Sequence, residues 1–589
     1  MKISSWPYFE KWIFLGFIIG ILIGVFSISF TLLLNFLETI FLKDILQTTI
    51  PKPLGEGGNL NYTFVSGRFI FFPLIVGLGG LISGILIYKL SPETAGGGVD
   101  FAIESYHKLQ GKIRKRVPFV ELFSSTFILG SGGSAGDLGP MGLIGGGLGS
   151  VISQYFGLTP EDTRKAVAVG IGAGVGSIFK APIGGALLSA EILYRRDLEP
   201  DVILPSMIAS ATAYSIYGSV VGFEPLFGIY PFHFSPLRLP LYALLGIIIG
   251  ILSILFVKIY KSISAFFKKM KIKSIFKPAI GGLITGGLIL IFPEVIGTGY
   301  GWDDILEFGN FSPIKTYGIP IIIFLFILAI AKMVSSSLTI GSGGSGGIEA
   351  PAFEIGAFIG AGVGMIFHNL LPSLVPYVAP FVVIGMLTMF GGPAKAPISV
   401  MIIITEMTSS LQLLPGEMIA VALAYVITGK YTLYPAQYPT RKDSPAHKSE
   451  YEIPVMLSIK IDECPLTELK AYSTDDIKEV SKRMEEEGYL SLPVVDKNNT
   501  FIGIVYYRDI ADKKGEVINY TIRGVPYVSP NANLEDAWEV ISRTKSRWVA
   551  VVENGKLKGV VTVESLLDRY EKEVMKIKGK SENNEEYNS

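Results

Sequence analysis

The chain has 589 residues, of which 49% are apolar, and its 51 basic side chains balance its 51 acidic ones. The balanced charge gives no sign of the basic surface by which proteins bind nucleic acid, and a single cysteine, Cys464, excludes an internal disulfide framework and a thiolate metal site. An apolar content this high over such a length predicts membrane spans.

Apolar segments follow one another up to about residue 430. The first, Ile13–Phe36, contains no charged residue and is long enough to cross a bilayer. The amino-terminal segment before it lacks the features of a removable signal peptide, so a retained helix is predicted. Several later segments are too short to cross alone and are interrupted by Gly or Pro, which is typical of broken helices around a protected cavity.

The character of the chain changes near residue 450. The segment Tyr438–Pro454 is polar and contains prolines, as linkers do. Two similar stretches follow, each reading as strand, Asn-containing turn, strand and helix. The last nineteen residues are charged and are predicted to be a solvated tail. The predicted boundaries are a membrane domain at 1–445, a linker at 446–456, a first unit at 457–513, a second unit at 514–570 and the tail at 571–589.

Two glycine-rich lines are the strongest repeat in the membrane domain. Gly130–Pro140 reads GSGGSAGDLGP and Gly341–Pro351 reads GSGGSGGIEAP, with seven of eleven positions identical. A Lys-Ala-Pro-Ile sequence then follows each line, at Lys180 and at Lys395. A membrane domain built from two related halves is typical of transporters and channels, with the site at the interface of the repeats.

Each Lys-Ala-Pro-Ile sequence is followed by a glutamate, Glu191 in the first half and Glu406 in the second. We interpret this pair as structural groups at the short helices that begin with Ala-Pro, with a role in transport as the alternative.

The glycine lines themselves predict an anion site. Each line ends in a proline and leads into an apolar helix, whose first amides are unpaired and carry a partial positive charge. Glycine lets an ion come close to those amides, so two facing helix ends could hold an anion without a full positive charge. Close helix packing is the alternative use of small residues, but it does not explain the repeated order of Gly and Ser.

These motifs resemble the four signature regions of the CLC family of chloride channels and chloride/proton antiporters, over about residues 10–445. The resemblance implies an all-α multi-span membrane domain of two inverted-repeat halves, with a cytoplasmic α/β CBS pair after it. It also implies a homodimer in the cell (plasma) membrane, with chloride or a similar anion as its partner and no nucleic acid. The matching segments are Gly96–Asp100, Gly136–Pro140, Gly347–Pro351 and Tyr434.

The anion-binding residues follow from the same resemblance, and three of them, Glu349, Leu138 and Tyr434, are gate candidates. No metal site and no enzymatic activity are expected, because the sequence shows no metal-ligand spacing, no nucleophile with a base and no phosphate-binding loop. The implied anion-binding residues are Gly97, Gly98, Leu138, Gly139, Ile348, Glu349 and Tyr434.

The sequence differs from the family pattern at the two positions that bind protons in the family's antiporters. The gating glutamate of the second signature is Leu138, and the position of the intracellular proton relay is Ile192. Because neither side chain can carry a proton, we expect a passive chloride channel. The serine of the first signature is Gly97, which puts chloride selectivity in doubt. The arginine of the second signature is Asp137, a carboxylate that would deter anions unless it is paired or points away.

Glu349 stands where the family has an aromatic residue. One interpretation is that it complements the helix dipole from the first helical turn. The other is a relocated gate, since an ionisable group inside a membrane is a functional candidate. If Glu349 carried protons through the cycle, the protein would be a chloride/proton antiporter, which is our alternative function. Glu354 is a second, weaker candidate for the same role.

The region Leu457–Tyr570 resembles a CBS-domain pair. The resemblance implies a site for an adenine nucleotide such as ATP at Asp509, with Ser565 at the matching place in the second unit, and no required cofactor. A pair that only helps dimerisation is the alternative. The rival from another class is a CBS-bearing cation transporter, which needs a cluster of intramembrane carboxylates for a hard cation.

Overall fold

The computed structural model describes residue 3 and the ranges 6–64, 67–227, 234–447, 455–544 and 546–586. Contacts along the chain divide it into two compact units, Met1–Ala446 and His447–Ser589. Most of the predicted linker 446–456 falls outside the described residues.

The first unit is helical, as its apolar segments predict, and many of its helices begin with a proline in their first two positions, where no backbone donor is lost. The helices of its first half are α1 Tyr8–Glu38, α2 Phe72–Leu90, α3 Val99–Lys108, α4 Val117–Gly130, α5 Leu138–Tyr155, α6 Pro160–Ile178, α7 Pro182–Glu191 and α8 Ile203–Val221. Those of its second half are α9 Leu239–Lys269, α10 Lys277–Ile289, α11 Tyr300–Glu307, α12 Ile321–Gly341, α13 Glu349–Leu370, α14 Ala379–Ala394, α15 Pro397–Thr408 and α16 Leu414–Thr428.

The packing of the first half recurs in the second. Helix α1 packs on α8 as α9 packs on α16, α5 packs on α6 as α13 packs on α14, and α3 packs on α5 as α11 packs on α13. The two glycine lines meet antiparallel at equivalent residues, Gly136 and Gly347, and each amide donates to the other's carbonyl oxygen over 2.7 Å. The two halves predicted from the repeat are therefore related by a local two-fold axis between these glycines.

The two glutamates predicted to be structural cap helices of the opposite half. The Glu191 carboxylate accepts hydrogen bonds from the amides of Ile398 and Ser399, at the start of α15. The Glu406 carboxylate accepts from the amides of Ile183 and Gly184, at the start of α7. Each carboxylate thus satisfies donors that a helix start leaves unpaired, which supports the structural interpretation.

Several helical stretches within the described ranges are long and apolar enough to cross a membrane. Apolar side chains such as Phe9, Leu237 and Val426 are more than half exposed on them, as expected of surfaces that face lipid. The stretches are Tyr8–Ile45, Phe69–Leu90, Pro236–Lys269, Ile321–Gly341, Glu349–Leu370 and Leu411–Thr428.

The second unit contains the predicted duplication of strand, turn, strand and helix. Strands β2 and β3 pair antiparallel across a turn with Asn499 at positive φ, and β5 and β6 pair likewise across Asn554. The strands are β1 Ala471–Tyr472, β2 Ser491–Val495, β3 Phe501–Tyr506, β4 Ile522–Arg523, β5 Trp548–Glu553 and β6 Lys556–Thr562. The helices are α17 Ile477–Glu487, α18 Tyr507–Ile510, α19 Leu534–Thr544 and α20 Val563–Glu586.

The predicted solvated tail at 571–589 is helical where the structure describes it. Helix α20 continues through this segment as far as Glu586. Charged pairs one turn apart, Arg569 with Glu573 and Asp568 with Lys572, stabilise the helix at the start of the segment. The prediction of a solvated tail was made from composition and did not address secondary structure, which the spacing of the charges favours here.

Candidate functional site

Three glycine segments meet in the middle of the first unit. The Gly96 amide donates to Gly344 O at 3.1 Å, and the Gly346 amide donates to Gly96 O at 3.2 Å. The Gly136–Gly347 pair lies beside them, and helices α3, α5 and α13 begin just after the three segments. The predicted arrangement of converging helix N-termini is therefore present, and backbone hydrogen bonds hold it together.

The approach at this point is so close that only glycine fits. A Cβ atom on Gly347 would lie 2.7 Å from the Gly139 nitrogen and would overlap Glu349 Oε2. A Cβ atom on Gly139 would lie 2.5 Å from Gly97 O, and one on Gly98 would lie 2.6 Å from Gly139 O. The predicted anion-binding glycines are thus in contact with one another, with their backbone atoms facing the same small space.

The Glu349 side chain occupies this space. Its carboxylate Oε1 accepts a hydrogen bond from the Tyr434 hydroxyl at 2.6 Å. Oε2 lies against Gly347 and Gly139, and among the described residues no donor reaches it with hydrogen-bonding geometry. The side chain is 0% exposed. A carboxylate oxygen therefore stands between the two glycine lines, where sequence reasoning places the anion.

A cavity of about 700 Å³ leads to this point and brings other predicted residues together. Gly97, Gly98, Ile348 and Tyr434 all line it. Its wall also carries basic side chains that sequence reasoning did not single out, namely Lys261, Lys268 and Lys277. Three carboxyl side chains, Glu93, Asp100 and Glu104, line the same cavity, so its wall carries charges of both signs.

Leu138 is placed differently from the other gate candidates. It is the first residue of α5, and its side chain is buried in the apolar core, outside the lining of this cavity. Ile192 is also fully buried in the core. Neither position offers a group that could bind a proton.

Asp137, the carboxylate expected to deter anions unless it is paired, does have a partner. Its Oδ1 accepts a hydrogen bond from the Tyr300 hydroxyl at 2.7 Å. Glu354 forms an ion pair with Lys332, and both side chains are fully buried. Sequence reasoning missed Tyr300 and Lys332, although a single charged residue in the apolar helix α12 was a signal that could have found the lysine.

The CBS positions lie at equivalent helix starts. Asp509 lies on α18, directly after β3, and its side chain is 38% exposed beside Arg508. Ser565 exchanges hydrogen bonds with Thr562 at the start of α20. Nucleotide binding at Asp509 stays a prediction. Among the described residues, no group of three or more His, Cys, Asp or Glu side chains could hold a metal ion.

Comparison with known proteins identifies the family. The family model for the voltage gated chloride channel matches residues 79–429, and the model for the CBS domain matches 464–516 and 517–572. An uncharacterised protein of Methanocaldococcus jannaschii is 26% identical over 401 residues, which cover 67% of this chain and 96% of that protein. The H(+)/Cl(-) exchange transporter ClcA of Vibrio campbellii is 26% identical over 441 residues, covering 72% and 89%.

Solved structures share the fold. A slow cyanobacterial Cl⁻/H⁺ antiporter is 22% identical with a TM-score of 0.62, covering 73% of this chain and 97% of that one. A eukaryotic CLC transporter is 18% identical with a TM-score of 0.57, covering 95% and 98%. The chain therefore belongs to the CLC family of anion channels and transporters, and it carries a pair of CBS domains.

Proposed function

We propose that this chain exchanges chloride, or a similar anion, for protons and that Glu349 is the group that carries the proton. The observation behind this proposal is the position of the Glu349 carboxylate, between the glycine lines and 2.6 Å from the Tyr434 hydroxyl. An ionised carboxylate and an anion repel each other and compete for the same donors. The anion can enter only when Glu349 takes up a proton or swings away.

This competition links the two ligands thermodynamically. If a proton on Glu349 favours anion binding, a bound anion favours the proton to the same extent, because binding linkage is reciprocal. Such linkage is the starting condition for exchange. The Vibrio relative is named as an H(+)/Cl(-) exchange transporter, which also supports exchange. Glu349 would then take over the proton-binding role of the family's gating glutamate, whose position holds Leu138 here.

A passive chloride channel is the second candidate. It is favoured by Leu138 and Ile192, since both positions are apolar and fully buried. A channel in which Glu349 only opens and closes the path needs no proton relay on the intracellular side. In that case acid would open the path, because the neutral acid no longer competes with the anion.

The reversal potential of the full-length protein in lipid bilayers distinguishes the candidates. Under a chloride gradient and an opposing pH gradient, exchange predicts a reversal potential that moves when the pH gradient is changed. A reversal at the chloride equilibrium potential that ignores the pH gradient would establish the channel instead. A current that follows a divalent cation and ignores chloride would overturn both and revive the cation transporter.

Gly97→Ser tests where the anion binds. A Cβ atom at Gly97 meets nothing within 4 Å, so serine fits without displacing a neighbour. The added hydroxyl supplies one donor to an anion in the cavity, and one hydrogen bond of about 1 kcal/mol corresponds to roughly a fivefold change in affinity. We expect the affinity for chloride to rise by about that factor, as measured by the chloride concentration at half-maximal flux. An unchanged affinity would place the anion away from Gly97.

We also propose a homodimer in the cell membrane, with the CBS pair in the cytoplasm and adenine nucleotide bound near Asp509. Family membership and the CBS match support this assignment. Titration of the full-length protein with ATP, compared with an Asp509→Ala variant, tests the nucleotide site.

A further inference from the structure

A second carboxyl, Glu121 of α4, lies against the glycine segments of the anion site. Its side chain is 0% exposed and does not belong to the lining of the cavity. Its Oε1 atom accepts a hydrogen bond from the hydroxyl of Ser345, in the second glycine line, at 2.9 Å. The same oxygen would lie 3.2 Å from a Cβ atom on Gly98, one of the predicted anion-binding residues. Glu121 therefore contacts two of the three glycine segments.

The internal repeat gives Glu121 a counterpart of opposite charge, Lys332 of α12. Each of the two is the only charged residue of its helix. Counted back from the glycines that meet, Gly136 and Gly347, each stands fifteen residues before the glycine of its own half. The charge of Lys332 is offset by an ion pair with Glu354. Among the described residues no cation pairs with Glu121.

The surroundings of Glu121 favour the neutral acid. Within the described ranges no charged side chain faces it, and its Oε2 atom has no hydrogen-bond partner. Helix α5, which packs on α4, contains no charged residue. The charged residues of the other elements that pack on α4 lie away from it, namely Glu10, Lys11 and Glu38 of α1, Lys43 and Asp44 just after α1, Lys89 of α2, and Glu93. Because burial without a cation penalises the ionised form, Glu121 holds a proton.

The protonation state of Glu121 determines what an anion meets at Gly98. An ionised carboxylate in contact with Gly98 would repel an anion there, in addition to the repulsion from Glu349. The neutral acid does not repel the anion, and its carbonyl oxygen still accepts the hydrogen bond from Ser345. Ser345 pairs with Gly96 in the bridge that joins the first glycine segment to the second line. The acid therefore supports the junction of the glycine segments without adding a charge to it.

We propose that Glu121 is a positioning residue of the anion site, which keeps its proton throughout the transport cycle and, as the neutral acid, holds Ser345 beside Gly98. This inference rests on the anion site of the proposed function but not on the exchange of protons. The two buried carboxyls at the glycine segments then have opposite roles. Glu349 competes with the anion, whereas Glu121 supports the backbone that binds it.

Glu121→Leu in the full-length protein tests the positioning, because it removes the acceptor of the Ser345 hydroxyl. We expect the affinity for chloride, measured as the concentration at half-maximal flux in vesicles, to fall roughly fivefold, which corresponds to one hydrogen bond of about 1 kcal/mol. An ionised Glu121 predicts the opposite sign, since removal of a negative charge would tighten chloride binding. Glu121→Gln keeps the acceptor and should recover most of the lost affinity.

Glu417→Leu is the matched control for Glu121→Leu. Glu417 is equally buried and also accepts a hydrogen bond from a hydroxyl, that of Thr405, but it lies away from the glycine lines. The control should keep the wild-type affinity for chloride, since it loses the same kind of bond at another place.

Infrared absorption of the full-length protein in vesicles reports the proton itself. With and without chloride, the difference between the wild type and Glu121→Gln should show the loss of one protonated carboxyl group. Loss of an ionised carboxylate instead, or a chloride affinity in Glu121→Leu that equals or exceeds that of the wild type, would overturn this inference alone. If Gly97→Ser and Gly347→Ala also leave chloride affinity and flux unchanged, the anion passes elsewhere and the proposed anion site fails together with this inference.

Discussion

Glu349→Gln is expected to abolish proton movement and to raise chloride movement at neutral pH about tenfold or more. The amide has the shape of the carboxylate but carries no charge, so it cannot compete with the anion at the glycine lines. A tenfold change corresponds to about 1.4 kcal/mol, a modest fraction of the repulsion between two anions in a dehydrated site. Stopped-flow chloride flux and proton uptake in vesicles measure both quantities.

The pH dependence of chloride movement in the wild type is a second test of Glu349, because the proposal fixes its direction. Acid protonates Glu349, which removes the competing charge, so wild-type chloride movement should increase as the pH falls. In Glu349→Gln the remaining dependence on pH should be small, since the group that titrates at the anion site is gone. Glu417→Gln is the matched control, because Glu417 is equally buried but accepts its hydrogen bond from Thr405, away from the glycine lines. If the pH dependence of Glu349→Gln matches that of the wild type, Glu349 is not the gate.

Gly347→Ala is expected to reduce chloride movement at least about tenfold. The new methyl group would lie 2.7 Å from the Gly139 nitrogen, in the space that the carboxylate now fills and that the anion must share. The overpacking should also lower the free energy of unfolding by roughly 1–3 kcal/mol. Flux in vesicles and the thermal unfolding midpoint in detergent report the two effects separately.

Gly287→Ala is the control for Gly347→Ala. It shows whether a Gly→Ala change in a membrane helix lowers flux by itself, without blocking the site. Gly287 lies in α10, and a Cβ atom there meets nothing within 4 Å. The control should keep wild-type flux and an equal or slightly higher unfolding midpoint, since alanine favours the helix. Wild-type flux in Gly347→Ala would mean that the anion passes elsewhere.

Much of the site could be predicted from the sequence because its chemistry resides in the backbone. Glycine lines that end in proline before an apolar helix predict exposed amides, and their repetition predicts two facing ends. Glu349 was recognisable as an acid at the start of such a helix. What this pattern could not predict is the direction of its side chain, which depends on Tyr434, a partner 85 residues away in the chain.

The hydrogen bond between Tyr300 and Asp137 was out of reach for a related reason. The two residues are 163 positions apart in the chain, and no local pattern joins them. In the sequence, the carboxyl residues of α11 look like an exposed acidic turn. Only tertiary packing makes them inaccessible to solvent. The two related halves needed less, since the repeated glycine lines and Lys-Ala-Pro-Ile sequences already predicted them.

The capping of α7 and α15 by Glu406 and Glu191 limits how the protein can move. Two backbone amides of each half donate to a carboxylate of the other, which makes four charged hydrogen bonds at about 1.5–3 kcal/mol each. Rocking one half against the other would break these bonds, at a total of roughly 6–12 kcal/mol. If the protein exchanges anions for protons as proposed, we expect its cycle to depend on side chains that turn, Glu349 above all, rather than on one half rocking against the other.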